Sequence, residues 1–216
     1  KDAILNSFGK DRSLDIAGCP RLETLNLGNW TSLESVAMDG CGKLRELSVY
    51  TNPGLKVIDL GANPELRTVT IHDCGVEELT LPHGIEHVVC RGGKLKSVTL
   101  HDYKELKGFD CSNNEELALL DLAGCDKLGF ISFANTRVGS FDFSEFPELT
   151  IIDCCNSAIA DMDVSGNANL SILYCRELGL ATLDISNNKL LTGLDCSDNE
   201  LEVLDVSGHQ LFRYLY

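Results

Sequence analysis

The sequence predicts a repeat solenoid, mainly β, with two parallel sheets and little helix. Three observations carry that reading. First, an L-x-x-L-x-L pattern, with Ile, Val, Phe, Met, Tyr or Cys standing for Leu, recurs nearly end to end. It opens as Leu22-Leu25-Leu27, Leu33-Val36-Met38 and Leu44-Leu47-Val49, and it closes as Leu201-Leu204-Val206 and Leu211-Tyr214-Tyr216. Its middle anchors fall at residues 14, 25, 36, 47, 58, 69, 79, 88, 98, 109, 120, 131, 141, 152, 162, 173, 183, 194, 204 and 214. The gaps are 10 or 11 residues, with one of 9. Second, the x-L-x-L alternation sends apolar side chains to one side only, as in a short half-buried strand. Third, each strand is followed by a polar turn such as Ser112-Asn113-Asn114, Ser186-Asn187-Asn188 or Ser197-Asp198-Asn199.

Ten residues are too few for a strand and a helical return, so two half-units make one coil of about 21 residues with a strand on each side. About ten coils stacked at roughly 4.8 Å give one elongated domain over residues 13–216, about 45–50 Å tall. Asn, Pro and Gly at Asn52-Pro53-Gly54 and Asn63-Pro64 supply the turn chemistry. Residues 1–12 are expected as an N-terminal cap segment, with a short helix over Asp2 to Phe8.

The signature Leu191-x-x-Leu194-x-Cys196-x-x-Asn199, repeated as Leu180-x-x-Leu183-x-Ile185-x-x-Asn188, resembles the leucine-rich repeat family. The wordings LDCSDN, LDVSG and LDISNN look like its short, 21-residue, doubly nested subclass found in bacterial surface proteins, including those of Bacteroidetes. The resemblance covers about residues 13–216. It implies a right-handed superhelix and a non-catalytic binding module for protein–protein or host and surface ligand recognition. It also implies an extracellular or cell-surface setting, with a lipid anchor as one means of display. No export signal lies within these residues, which begin at Lys1.

The repeat register also accounts for the ten cysteines. Cys19, Cys41, Cys74 and Cys125 share the third position after a strand with Asn52, Asn63, Asn114, Asn167, Asn188 and Asn199. In the family this inward position takes Asn or Cys facing turn backbone. Cys90, Cys111, Cys154, Cys175 and Cys196 take the last inward strand position as small buried hydrophobes. Only Cys155 points outward. Parallel side chains on successive coils hold Cβ atoms farther apart than a disulfide prefers, so structural thiols are expected.

The two sides of each coil differ in what they display. One side presents Asp15, Ala37, Asp59, Thr80, Thr99, Asp121, Asp142, Asp163, Asp184 and Asp205, often with a small residue two positions on. A solvated carboxylate row held by turn hydroxyls and amides explains it. A cation-binding module using Asp121, Asp142, Asp163, Asp184 and Asp205 is the alternative. The other side is varied, mixing aromatics, aliphatics and Arg as interface centres do. Phe130 and Tyr174 are the expected anchors, Ile151 and Ile172 an apolar floor, and Arg91 and Arg176 charged orienters. Tyr50, His72 and His87 extend the footprint. Self-association, or a structural segment of a larger surface protein, is the rival reading for this face.

Net charge is −15, from 33 acidic and 18 basic residues, which argues against nucleic acid. A protein or glycan ligand fits better. A basic stretch, His83, His87, Arg91, Lys94, Lys96, His101, Lys104 and Lys107, is either a belt for an anionic group or a solvated irregular loop. No apolar run reaches transmembrane length. HExxH, GxSxG, Walker and dinucleotide motifs are absent, and no cofactor, metal site or enzymatic activity is expected. His72, Cys74, His83, His87 and Cys90 have zinc-ligand chemistry, but the register scatters them.

Overall fold

Alternating strands such as Thr24–Gly28, Glu46–Tyr50 and Thr68–His72 bury Leu25 and Leu27, Leu47 and Val49, and Val69 and Ile71 on one side. They pair in parallel, coil upon coil. In the computed structural model, which describes residues 1–6 and 10–216, this side forms one 11-stranded sheet in chain order. Its strands are Asp2–Asn6, those three, His87–Arg91, Gly108–Asp110, Phe130–Ser132, Ile151–Asp153, Ile172–Tyr174, Gly193–Asp195 and Tyr214–Leu215. Early coils advance 22 residues, Thr68 to His87 only 19, and the later ones 21 or 22.

The opposite side is a broken sheet. Ser13–Asp15 pairs with Ser35–Ala37, Val57–Asp59 with Glu78–Thr80, and Ser97–Thr99 with Leu119–Asp121. Beyond Asp121 this side holds no strand among the described residues, and a single 3-10 turn, Phe143–Glu145, stands there. Between the two sides runs one continuous apolar core. Each buried Leu, Ile or Val contributes about 1.5–3 kcal/mol relative to exposure. Phe133, Phe141, Phe143 and Phe146 thicken it midway, with neighbouring ring centroids 5.1–6.3 Å apart.

The turn interiors need more than apolar contact, because each coil leaves backbone carbonyls facing inward. Asn188 Nδ2 donates to the carbonyls of Val164 and Asn167, both at 2.9 Å. Asn167 likewise serves Phe143 and Phe146, Asn114 serves Cys90 and Cys111, and Asn199 serves Cys175 and Cys196. Cys41 and Cys125 donate Sγ–H to the carbonyls of Ile16 (3.3 Å) and Leu100 (3.2 Å). Cys74 serves His72 at 3.2 Å. The shared Asn/Cys position is therefore a column of donors, as the family resemblance implies.

Other donors fill the same column by different means. Trp30 Nε1 reaches the Asp11 carbonyl and Tyr103 OH that of Leu81, each at 2.9 Å. Thr136 Oγ1 reaches Phe133, and His209 Nε2 meets the Ile185 carbonyl at 3.0 Å. Cys19, at the first such position, is exposed. The inward strand thiols of Cys90, Cys111, Cys154, Cys175 and Cys196 are buried, and none of the ten cysteines is disulfide-bonded.

After eight of the long-sheet strands the chain passes a left-handed residue other than glycine. Asn29, Thr51, Asp73, Asn113, Asn135, Asn156, Glu177 and Asp198 all have φ between 51° and 57°. Three of these form a side-chain ladder, with Asn156 Nδ2 donating to Asn135 Oδ1 and Asn135 Nδ2 to Asn113 Oδ1, both at 2.8 Å.

Two expectations are corrected. The N-terminal helix is instead a strand: Asp2–Asn6 pairs along its length with Thr24–Gly28 and packs Ala3 and Leu5 on the core. Alternation and an unpaired sheet edge outweigh helical propensity there, and Phe8 lies outside the described residues. The last repeat also shifts by one residue. Leu194 pairs with Leu215, so Phe212 packs on the core in the place assigned to Leu211, and Leu215, exposed on the last strand, holds the register place assigned to Tyr214. His209 in the donor column, 21 residues after Asn188, sets that register.

Replacing Asn188 with Ala strands two buried carbonyls and is expected to cost about 2–4 kcal/mol in urea unfolding. Asn188→Cys, which imitates Cys41 and Cys125, is expected to lose roughly half of that. Equal losses would show that the column acts by volume alone.

Candidate binding face

On the Asp side, one carboxylate oxygen is already in use. Oδ1 of Asp15, Asp59, Asp121, Asp142, Asp163, Asp184 and Asp205 accepts the backbone N–H two residues on, at 2.7–3.2 Å. Bonds from Ser165, Ser186 and Ser207 hold the Asp163, Asp184 and Asp205 carboxyls below the usual range. These are Asx turns that close each coil. The monotony of the row is thus a requirement of turning. Among the described residues, no group of three or more His, Cys, Asp or Glu converges to hold a metal.

The long sheet carries three outward columns, one side chain per coil. The first runs His87, Gly108, Phe130, Ile151, Ile172, Gly193 and Tyr214. The central column runs Val89, Asp110, Ser132, Asp153, Tyr174 and Asp195. The third starts with Tyr50, His72 and Arg91 and continues by register through Cys155 and Arg176.

The structure brings Phe130, Ile151 and Ile172 side by side in the first column, each half-buried, with Tyr174 in the column beside them. His87 joins them across Gly108, where a Cβ would stand 3.0 Å from His87 Nδ1 and 3.6 Å from the Phe130 ring. Glycine is needed there for the two rings to lean together. Tyr50 and His72 stack at 5.6 Å, but at the other end of their strands, so they form a separate pair.

The two arginines are not free orienters. Arg91 grips Asp110 through Nε at 2.7 Å and through Nη2, and Asp110 is fully buried while also accepting from Ser112 N–H and Oγ–H. Arg176 pairs with Asp198 at 2.8 Å and Glu177 at 2.6 Å. Four more members of the basic stretch are paired in the same way, with acids about one coil away. Lys96 pairs with Glu116, His101 with Asp121, Lys104 with Asp126 and Lys107 with Glu86. Arg12–Glu34, Arg45–Glu65 and Lys56–Glu77 repeat the pattern elsewhere. The other zinc-type side chains also go separate ways: His83 packs on Tyr103, and Cys90 is buried in the core.

Sequence reasoning missed Tyr214, Asp110 and Asp195 on this face. Tyr214 lies across Gly193, where a Cβ would fall 2.0 Å from its Cζ. Its ring stacks on Tyr174 at 6.5 Å, and the two hydroxyls meet at 3.0 Å. That bond, then burial, then the negative Asp153 and Asp195 push the Tyr174 phenol up to about 12. Placing His209 in the donor column would have found Tyr214. Cys155, in the third column, is half-buried and its thiol is pushed up to about 12 by burial.

Solved structures with the same coil geometry settle the fold. The functional domain of InlJ from Listeria monocytogenes, described as including a cysteine ladder, superposes with a TM-score of 0.67 at 20% identity. The match covers 93% of this chain and 57% of that one. This is a leucine-rich-repeat fold. The internalin InlF of the same organism matches with a TM-score of 0.63 at 12% identity, over 90% of this chain and 72% of its own. The LRIM1/APL1C complex gives 0.63 at 14%, over 91% of this chain and 47% of the matched one. The chain thus spans a little over half of the InlJ domain. No family model matches the sequence, and no curated protein matches it. Within this leucine-rich repeat, the column Cys90, Cys111, Phe133, Cys154, Cys175 and Cys196 is a run of buried thiols interrupted once.

Two measurements probe these assignments. With Ellman's reagent at pH 8, only Cys19 of the ten thiols is expected to react quickly; Cys155 lags and the others wait for denaturant. Rapid release of several thiols from the folded chain would contradict the burial. In Tyr214→Phe, ultraviolet titration should show the Tyr174 phenol falling back toward about 10, because the bond that raises it is gone. An unchanged curve would place the two hydroxyls apart.

Proposed function

We propose that the chain is a non-catalytic binding module that takes a protein partner on the outer face of its long sheet. The observation that supports this is the contiguous half-exposed row Phe130, Ile151 and Ile172 beside the Tyr174–Tyr214 pair. Isolated exposed apolar residues are common, but a row on successive coils is the composition of an interface centre. The Tyr hydroxyl pair and the Arg91–Asp110 grip fix the surface beforehand, which lowers the entropy lost on docking. The carboxylates of the opposite side are engaged in closing turns, so recognition falls to the varied side. A bacterial surface or secreted setting accords with the family resemblance and with the internalin neighbours. Among the described residues no helix is long and apolar enough to cross a membrane.

The test is light scattering across concentration together with photo-cross-linking. Wild type and Phe130→Ser/Tyr174→Ser are both expected to be monomeric. A benzophenone amino acid at Ile151 or Ile172 is expected to cross-link a partner that the same group at Asp184 does not. A wild-type dimer dissolved by the double substitution would make this face a contact between copies instead.

A further inference from the structure

We propose that the partner presents a cationic side chain, an arginine or lysine set between apolar residues, which seats on Tyr174 between Asp153 and Asp195. The proposal rests on the docking face argued above and specifies what that face accepts.

Asp153, Tyr174 and Asp195 are register partners on three successive strands of the central column. At roughly 4.8 Å per strand, the strands that carry the two carboxylates flank that of Tyr174, about 10 Å apart. A cation held over Tyr174 then stands between the two strands that carry them. Among the described residues neither carboxylate has an ion-pair partner. Asp153 accepts from Cys155 N–H at 3.3 Å and Ser132 Oγ–H at 3.2 Å. Asp195 accepts from Ser197 N–H at 3.1 Å and Ser197 Oγ–H at 2.5 Å, both through Oδ1, whereas Ser132 engages Oδ2 of Asp153. The arginines within reach are committed, Arg91 to buried Asp110 and Arg176 to Asp198 and Glu177.

Arg91 and Arg176 act on these carboxylates only through space, so the face holds two acids without an ion-pair partner beside the apolar pair Ile151 and Ile172. A purely apolar partner docking there would bury both carboxylates without a counter-charge, which is strongly unfavourable. A basic residue removes that cost and adds attraction to the tyrosine ring. Arginine fits better than lysine, because its planar, weakly hydrated guanidinium stacks on rings and forks to carboxylates. The net charge of −15 also draws basic partners to the surface.

The experiment uses two synthetic peptides, acetyl-Ile-Arg-Ile-amide and its citrulline counterpart, which keeps the shape and loses the charge. Each is titrated into 15N-labelled protein while backbone amide shifts are followed. The arginine peptide is expected to move Asp153, Tyr174 and Asp195, and to bind about five- to tenfold tighter than the citrulline peptide. Its preference should shrink to about twofold or less in Asp153→Asn/Asp195→Asn, and should weaken as salt is raised. Asn keeps the turn-closing acceptor in both places, and a thermal melt confirms that the variant is folded. If neither peptide moves these amides, the docking face itself is wrong and the cation seat falls with it. If both bind equally well there, the docking face stands and the cation seat is overturned. An arginine preference untouched by the double substitution also overturns it.

Discussion

Every coil must reverse direction twice within about 21 residues while keeping its inward-facing carbonyls paired. That constraint shapes the rest of the molecule. Unpaired buried carbonyls cost about 1–3 kcal/mol each, and the stack presents them at every level. The column of Asn, Cys, Thr, Trp, Tyr and His donors answers this, with Asn188 and Asn167 each bridging two carbonyls. Because a donor on one coil serves the coil before it, the column also sets the register of the stack. The outward columns are aligned only because the inward one is.

The varied face depends on that alignment at a finer level. Gly108 and Gly193 leave gaps in the first outward column, and aromatic rings from adjacent coils close over both. His87 and Phe130 lean over the first, and Tyr214 crosses the second to reach Tyr174. A shift of one residue in any coil would place a side chain beneath a ring. The face is then a set of side chains held by neighbours one and two coils away, and its shape is fixed before a partner arrives.

Much of this was legible in the chain, and the rest was hidden for identifiable reasons. Period and alternation reveal the stack, spacing puts Cys41, Cys74 and Cys125 in one position with Asn63, Asn188 and Asn199, and the family resemblance implies that this position faces turn backbone. Trp30, Tyr103 and His209 were not recognised in that column, because they reach the same carbonyls with unrelated side chains. Missing His209 cost the register of the last coil and with it Tyr214. The helix expected at Asp2–Phe8 failed because a short segment at an open sheet edge gains more by pairing with Thr24–Gly28. The basic stretch looked like a belt only in one dimension. Stacking puts residue i beside a residue about 21 positions on, and acids wait at those distances.

The carboxylates show how one group serves two ends. Asp153 and Asp195 close their turns through Oδ1, as do Asp163, Asp184 and Asp205 on the opposite side. Turn closure alone therefore explains why an acid stands there, and by itself says nothing of recognition. The difference lies in the neighbours. On the Asp side the carboxylates other than Asp121, which is half-buried and pairs with His101, sit on exposed turns where water screens their charge. On the long sheet the same turn chemistry places the charge half-buried beside Ile151, Ile172 and Tyr174, where a docking partner must remove the water. The turn fixes the carboxylate's position at no cost to binding, and the surrounding apolar surface determines what its charge can select. Asparagine closes the turn as aspartate does, so the structural role and the charge are separable at these two positions.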